Sequence, residues 1–145
     1  MLEVRKSIPN DWERLWPLLS SMGKSDNKKD TYNRFLHMVN DEHHFIAVGV
    51  KNEKMVGYGW IQDYGFHLRM GKKTTRLHDL YVLPEYRNEG VASELFLFLK
   101  DWASKNCTTW LQWNASPSAV DFYKKLGVEP EENEDEYPFF EIEFK

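Results

Sequence analysis

The stretch LHDLYVLPEYRNEGVASELFLFLKDWA, residues 77–103, reads as a strand, a turn and a long helix. His78-Asp79-Leu80-Tyr81-Val82-Leu83 is short and rich in apolar and aromatic residues, and Pro84, which cannot donate to a sheet ladder, ends it. Beyond the turn Glu85–Gly90, residues Val91, Ala92, Leu95, Phe96, Leu99, Trp102 and Ala103 recur at helical spacing and mark one apolar face. A turn that opens a helix leaves the first backbone N–H groups without intrahelical acceptors, and with the helix dipole they make an anion site. Gly90 allows close approach of an anion to the backbone, and Arg87 can add a charge-assisted contact. The hexapeptide Arg87–Ala92 alone is also a common strand–helix turn, so it decides nothing without its surroundings.

Those surroundings are specific. The pattern L-x-x-L-Y-V-L-P-E-Y-R-x-x-G-V-A, then an amphipathic helix, then Ala119-x-x-Phe122-Tyr123-x-x-Leu126-Gly127, resembles the GCN5-related N-acetyltransferases (GNAT). The likeness is strongest over residues 77–128. It implies a GNAT-like α+β fold in three layers, a mixed and mainly antiparallel central sheet flanked by helices. It also implies acetyl-CoA as co-substrate, with its pyrophosphate on the backbone of Arg87, Asn88, Glu89, Gly90, Val91 and Ala92, and Ser93 at the edge. The pantetheine is then expected along Leu80, Tyr81 and Val82.

Composition sets the bounds. A chain of 145 residues, 41% hydrophobic and 15% aromatic, can bury a real core, and we expect one domain over 1–145. The net charge of −4 argues against a nucleic-acid surface, which needs a basic face. No apolar run approaches membrane-spanning length and the N-terminus carries no secretory apolar region, so no membrane role is expected. Cys107 is the single cysteine, which rules out an internal disulfide and suits a reducing cytoplasm.

Taken in order, Leu2–Arg5 alternates as a first strand, and Trp12, Leu15, Trp16 and Leu19 mark a helix in which Pro17 predicts a kink or an early end. Ser20–Asp30 reads as a loop, and Tyr32, Phe35, Leu36 and Val39 as a second helix. His44–Val50 and Met55–Ile61 predict a hairpin, with Gly57 and Gly59 on one face and a longer connection from Asp63 to the central strand, Thr74–Leu83. Thr108–Trp113 predicts a strand and Ser118–Leu126 a helix, capped by Ser116 with Pro117 at its first position and ended at Gly127. Six acidic residues in the eight from Glu129 to Glu136 predict a loop, and the alternating Phe139–Phe144 a last strand whose aromatic face a homodimer could use.

The resemblance also suggests where the chemistry lies. Tyr123 matches the tyrosine that relatives place near the CoA sulfur. A phenol, with a reference pKa of ~10 against ~8.5 for a thiol, can protonate the departing thiolate. Helical tyrosines are more often core aromatics, and the A-x-x-F-Y-x-x-L-G setting is what favours the role. On the acceptor side relatives carry a carboxylate near the amine, and His78 and Asp79 stand there. Either could take the proton or orient a cation, and water could relay it; both could equally be structural hydrogen-bonding groups of the sheet. Adjacent strand residues point to opposite faces, so one of the two is expected to address the acceptor unless a bulge intervenes. Where relatives often carry asparagine seven residues before the tyrosine, this chain has Ser116, and Asn114 at the strand end can take over that contact to CoA. The histidines and Cys107 show no metal-ligand spacing, so no metal is expected.

The expected activity is therefore direct acetyl transfer to the primary amine of a small molecule: a polyamine, an aminoglycoside or an amino-acid-like amine. A backbone N–H of the central strand, that of Val82 or a neighbour, would meet the oxyanion. Two rivals share the motifs: a regulatory module that binds acyl-CoA without turning it over, and a protein lysine or N-terminal acetyltransferase.

Overall fold

Strand β1 (Leu2–Lys6) leads through a 3-10 turn at Pro9–Asp11 into α1 (Trp12–Ser21) and α2 (Lys28–Val39). Strands β2 (His44–Lys51), β3 (Lys54–Phe66) and β4 (Lys73–Val82) follow, then α3 (Val91–Lys105) and the short β5 (Trp110–Gln112). The computed structural model describes residues 1–131, 138 and 140–144. It divides into two compact units, residues 1–114 and 115–145.

The first unit is built on a sheet in the order β1-β2-β3-β4-β5, antiparallel from β1 to β4 and parallel between β4 and β5. The parallel pair needs a crossover, which α3 supplies. The alternation of β2 and β3 sends side chains to two different covers. Ile46, Val48, Val50 and Tyr58 join Trp12, Leu15, Leu18, Phe35 and Val39 in one buried cluster under α1 and α2. On the other face Phe45 stacks on Trp102 of α3, ring centroids 5.1 Å apart. Gly57 and Gly59 belong to this second face. A Cβ on Gly57 would lie 2.8 Å from Leu95 Cδ1, and one on Gly59 2.6 Å from Leu99 Cδ1. The two glycines thus let α3 lie close against β3, which fixes where α3 begins. The first unit also locks its N-terminus with a buried carboxylate. Asp11 is fully buried and accepts from both terminal nitrogens of Arg5 at 2.8 and 2.9 Å, from Arg14, from Ser7 and from the Ile8 N–H. Burial alone would raise its pKa, and the hydrogen bonds from Arg5, Ile8 and Ser7 with the Arg5 charge outweigh that and hold it below the ordinary value.

In the second unit a 3-10 turn at Pro117–Ala119 runs into α4 (Val120–Lys125), and Gly127 follows with φ +86°.

Several elements differ from the sequence expectation. Helix α1 continues through Pro17, an exposed residue, and does not end early there. Strand β3 runs on to Phe66 and takes up part of the expected connection. Ser116 makes no capping bond to the helix backbone; its hydroxyl lies 3.2 Å from that of Ser118. The expected last strand begins at Phe139, outside the described residues, and residues 140–144 have no strand structure. The acidic run lies mostly outside the described residues.

Candidate active site

The free edge of β4 is the first part of the site. β5 pairs with β4 only at Thr74–Arg76, so among the described residues the strand from Leu77 to Val82 has β3 on one side and no strand on the other. The Leu83 N–H donates to the Val56 carbonyl at 2.9 Å, which sets the alternation of the ladder. With Gly57 opposite Val82 and Tyr58 opposite Tyr81, the peptide groups of Tyr81 face β3, and those of Leu80 and Val82 face the free edge. Arg87 uses that edge: its Nε donates to the Val82 carbonyl at 2.9 Å, and its guanidinium lies 5.5 Å above the Tyr81 ring.

The second part is the turn into α3. Asn88 (φ +64°) and Gly90 (φ +86°) are both left-handed, and a Cβ on Gly90 would meet open space. The Glu94 N–H to Gly90 carbonyl bond, 3.1 Å, is the first turn of the helix, so the N–H groups of Val91, Ala92 and Ser93 precede it. Glu89 would oppose an anion here, but its carboxylate is held by the Lys51 ammonium at 2.7 Å, a hydrogen bond that raises the Lys51 pKa. Lys51 was not foreseen, since only the folded register brings the end of β2 beside this turn.

The third part is the α1/α2 face of β3 and β4. Trp60 pairs with Asp79 but Ile61 pairs with Leu77, so His78 is the extra residue of a β-bulge. Both side chains then meet residues of one face of β3. The Tyr58 hydroxyl donates to Asp79 Oδ2 at 2.9 Å. His78 stacks against Trp60 with centroids 4.3 Å apart, and its Nε2 lies 3.0 Å from Gln62 Oε1 and 3.2 Å from the Tyr64 hydroxyl. The bulge that could bring His78 and Asp79 to one side is therefore present. Burial, then the charge of Asp79, pushes the Tyr58 phenol well up, so it stays a donor. Burial, with the Arg76 charge, lowers the His78 pKa from its ordinary value, and Asp79 works against them; the ring is neutral at neutral pH. Tyr81 closes this face through its hydroxyl, which takes a hydrogen bond from Ser21 of α1 at 3.0 Å. Of these residues Tyr58 and Gln62 were not foreseen, since the register alone brings them to Asp79 and His78.

Asn114, just past β5, accepts a hydrogen bond from Arg76. Tyr123 stands on α4 in the second unit, edge-on to Phe122 with centroids 4.9 Å apart, and burial raises its pKa. Among the described residues no group of His, Cys, Asp or Glu is arranged to hold a metal ion, and no helix is long and apolar enough to cross a membrane.

A layered α+β domain with a strand splayed from its neighbour beside an uncapped helix start is built to take an extended, anionic ligand. Residues 8–128 match the model of the acetyltransferase (GNAT) family, and the chain belongs to that family. It is 37% identical over 79 residues to the thialysine N-epsilon-acetyltransferase of Sus scrofa, covering 51% of this chain and 44% of that protein. The chain thus spans about half the length of the curated relatives it matches. Among solved structures it is similar to glucosamine-6-phosphate N-acetyltransferase from Arabidopsis thaliana, with TM-score 0.81 and 18% identity over 97% of this chain and 99% of that one. It is also similar to an aminoglycoside N-acetyltransferase in complex with the bisubstrate analogue CoA-S-monomethyl-acetylneamine, with TM-score 0.82 and 16% identity over 100% and 99% of the two chains. These two likenesses establish the shared fold.

Proposed function

We propose that this chain is an acetyl-CoA-dependent N-acetyltransferase acting on a primary amine of a small molecule, that residues 1–145 form one such domain, and that it works in the cytoplasm. The observation that carries the reading is the His78 bulge. It puts His78 and Asp79 on one face of β4, beside an edge that leads directly to the opening of α3. Family membership supports the acyl-transfer chemistry. The names of the relatives, thialysine, glucosamine-6-phosphate and aminoglycoside acetyltransferases, all point to small amines as the class to test.

The residues fit a CoA-like ligand on grounds of their own. The turn offers three N–H groups without intrahelical acceptors, a left-handed glycine with open space beside it, and a carboxylate already neutralised by Lys51. Acetyl-CoA supplies an acyl group activated as a thioester. The turn from Arg87 to Ala92, with Ser93, holds the diphosphate, and Leu80 and Val82 offer edge peptide groups to the extended tail. The Val82 N–H meets the developing oxyanion. His78 or Asp79 takes the proton of the acceptor's ammonium, and Tyr123, kept protonated by its raised pKa, protonates the leaving sulfur.

The test is thiol release from acetyl-CoA with thialysine, lysine, spermidine, an aminoglycoside and a lysine peptide, alongside thermal shift with CoA. Turnover with one small amine supports the reading. CoA stabilisation without turnover by any of the five points to a binding module, turnover only with the peptide to a protein acetyltransferase, and absence of CoA binding refutes the assignment of the turn.

A further inference from the structure

We propose that Gln62 locks His78 in the tautomer with hydrogen on Nε2, which makes Nδ1 the atom that takes the proton from the acceptor amine. The inference rests on the acetyl-transfer reading above and assigns an atom and a positioning residue within it.

Both described hydrogen bonds of the His78 ring converge on one nitrogen. Gln62 Oε1 lies 3.0 Å from Nε2, and the Tyr64 hydroxyl lies 3.2 Å from the same atom. A side-chain carbonyl oxygen can only accept, so the shorter contact requires hydrogen on Nε2, with the Tyr64 oxygen as a second, longer acceptor. A neutral imidazole has one hydrogen, so Nδ1 carries the lone pair. No described residue donates a hydrogen bond to Nδ1.

The ring is fixed in orientation as well as in tautomer. It stacks on Trp60 at 4.3 Å, and Trp60 is itself tied to β2, its Nε1–H donating to His44 Nδ1 at 3.1 Å. Two bulges converge here. Asp63 pairs with Thr75 and Gly65 with Thr74, so Tyr64 is the extra residue of β3, as His78 is of β4. The residues the ladder leaves over are the two whose side chains meet. The charged and titratable groups facing the ring are Arg76 and Asp79 on β4, Tyr64 on β3 and His44 on β2. Burial and Arg76 keep the ring neutral at neutral pH, so the Nδ1 lone pair is available.

In the step itself one N–H bond of the acceptor's ammonium breaks, and its electron pair stays on nitrogen as the attacking lone pair. The proton bonds to Nδ1, giving an imidazolium whose Nε2–H still donates to Gln62. After transfer the Nδ1 proton returns to solvent.

The experiment is nitrogen-15 NMR of the histidine-labelled full chain, with His78→Gln identifying the signal, paired with pH profiles of kcat/KM for the best amine of the panel. The wild type is expected to show a protonated Nε2 and a bare Nδ1. Gln62→Leu, which removes the acceptor, should mix the tautomers and lower kcat about tenfold with KM for acetyl-CoA unchanged. Gln62→Glu keeps the acceptor and adds a negative charge; it should retain the tautomer, restore much of kcat and move the acid limb of the profile to higher pH. A wild-type ring protonated on Nδ1, or a Gln62→Leu variant with unchanged tautomer and pH profile, overturns the proposal. A locked tautomer in a protein that acetylates none of the amines refutes the base role of Nδ1 and the acetyl-transfer reading together, while the Gln62 lock stands.

Discussion

His78 and Asp79 are neighbours in the chain and, on a regular strand, would serve opposite faces; one extra residue in the β4 ladder gives both to the same side. The titration of His78 has consequences for activity and for stability. Its pKa in the fold lies below the ordinary value near 6.5, so a base role needs the ring neutral and kcat/KM should fall as pH drops through the lowered pKa. A profile from pH 5 to 8 should show that limb, and His78→Gln should abolish it. For stability, between the two pKa values the unfolded chain binds more protons than the fold. The His78 contribution is therefore fully present above about pH 6.5 and is lost as pH falls through the folded value, which urea titrations at pH 7 and 5 would detect as a smaller loss in His78→Gln. In the mechanism we propose, Tyr123 serves the other half of the reaction. Tyr123→Phe keeps the ring and removes the proton, and should lower kcat roughly 100-fold while CoA-induced stabilisation is unchanged. Equal kcat in the variant would remove Tyr123 from the mechanism.

At the scale of elements, the placement of α3 depends on what β3 lacks. Gly57 and Gly59 leave room for Leu95 and Leu99, and a methyl at Gly59 would come within 2.6 Å of Leu99 Cδ1 inside a packed core. Gly59→Ala is expected to destabilise by about 1–3 kcal/mol in urea unfolding, and a neutral result would mean that α3 shifts freely. Same-face glycines in a strand pointed to a close neighbour or a bulge, and Leu95 and Leu99 of α3 are the close neighbours. The strand, turn and helix of residues 77–103 were legible because apolar spacing and Pro84 are local signals. The bulges at His78 and Tyr64 were not, since register is set between strands and neither segment alone encodes which residue the ladder leaves out. The same holds for Lys51 and Gln62, whose partners lie 38 and 16 residues away. At Pro17 the early end is not found, and α1 runs on to Ser21. Whether a fold absorbs the hydrogen bond a helical proline removes depends on packing around the whole helix, which the local sequence does not encode.

For the whole molecule, a net charge of −4 and a polyanionic ligand repel at long range, so any affinity for CoA must be local. At physiological ionic strength charges beyond about 8 Å are largely screened, which leaves the helix start, Arg87 and the Lys51–Glu89 pair to decide it. A ligand that binds only the fold stabilises it by about 2.7 kcal/mol at one hundred times its Kd. For a chain of this size that corresponds to an upward shift of Tm by roughly 5–10 °C. Gly90 isolates the cause. Its φ of +86° suits glycine, and a Cβ there touches nothing, so Gly90→Val costs backbone strain without a clash. The free variant should lose about 1–2 kcal/mol, and what then discriminates is the increment added by CoA. If the turn is the diphosphate site, relaxation of that φ turns the N–H groups of Val91 and Ala92 out of line and most of the increment disappears. If the full increment returns on a merely lower baseline, CoA is held elsewhere, and the turn of residues 87–92 is only the joint between β4 and α3.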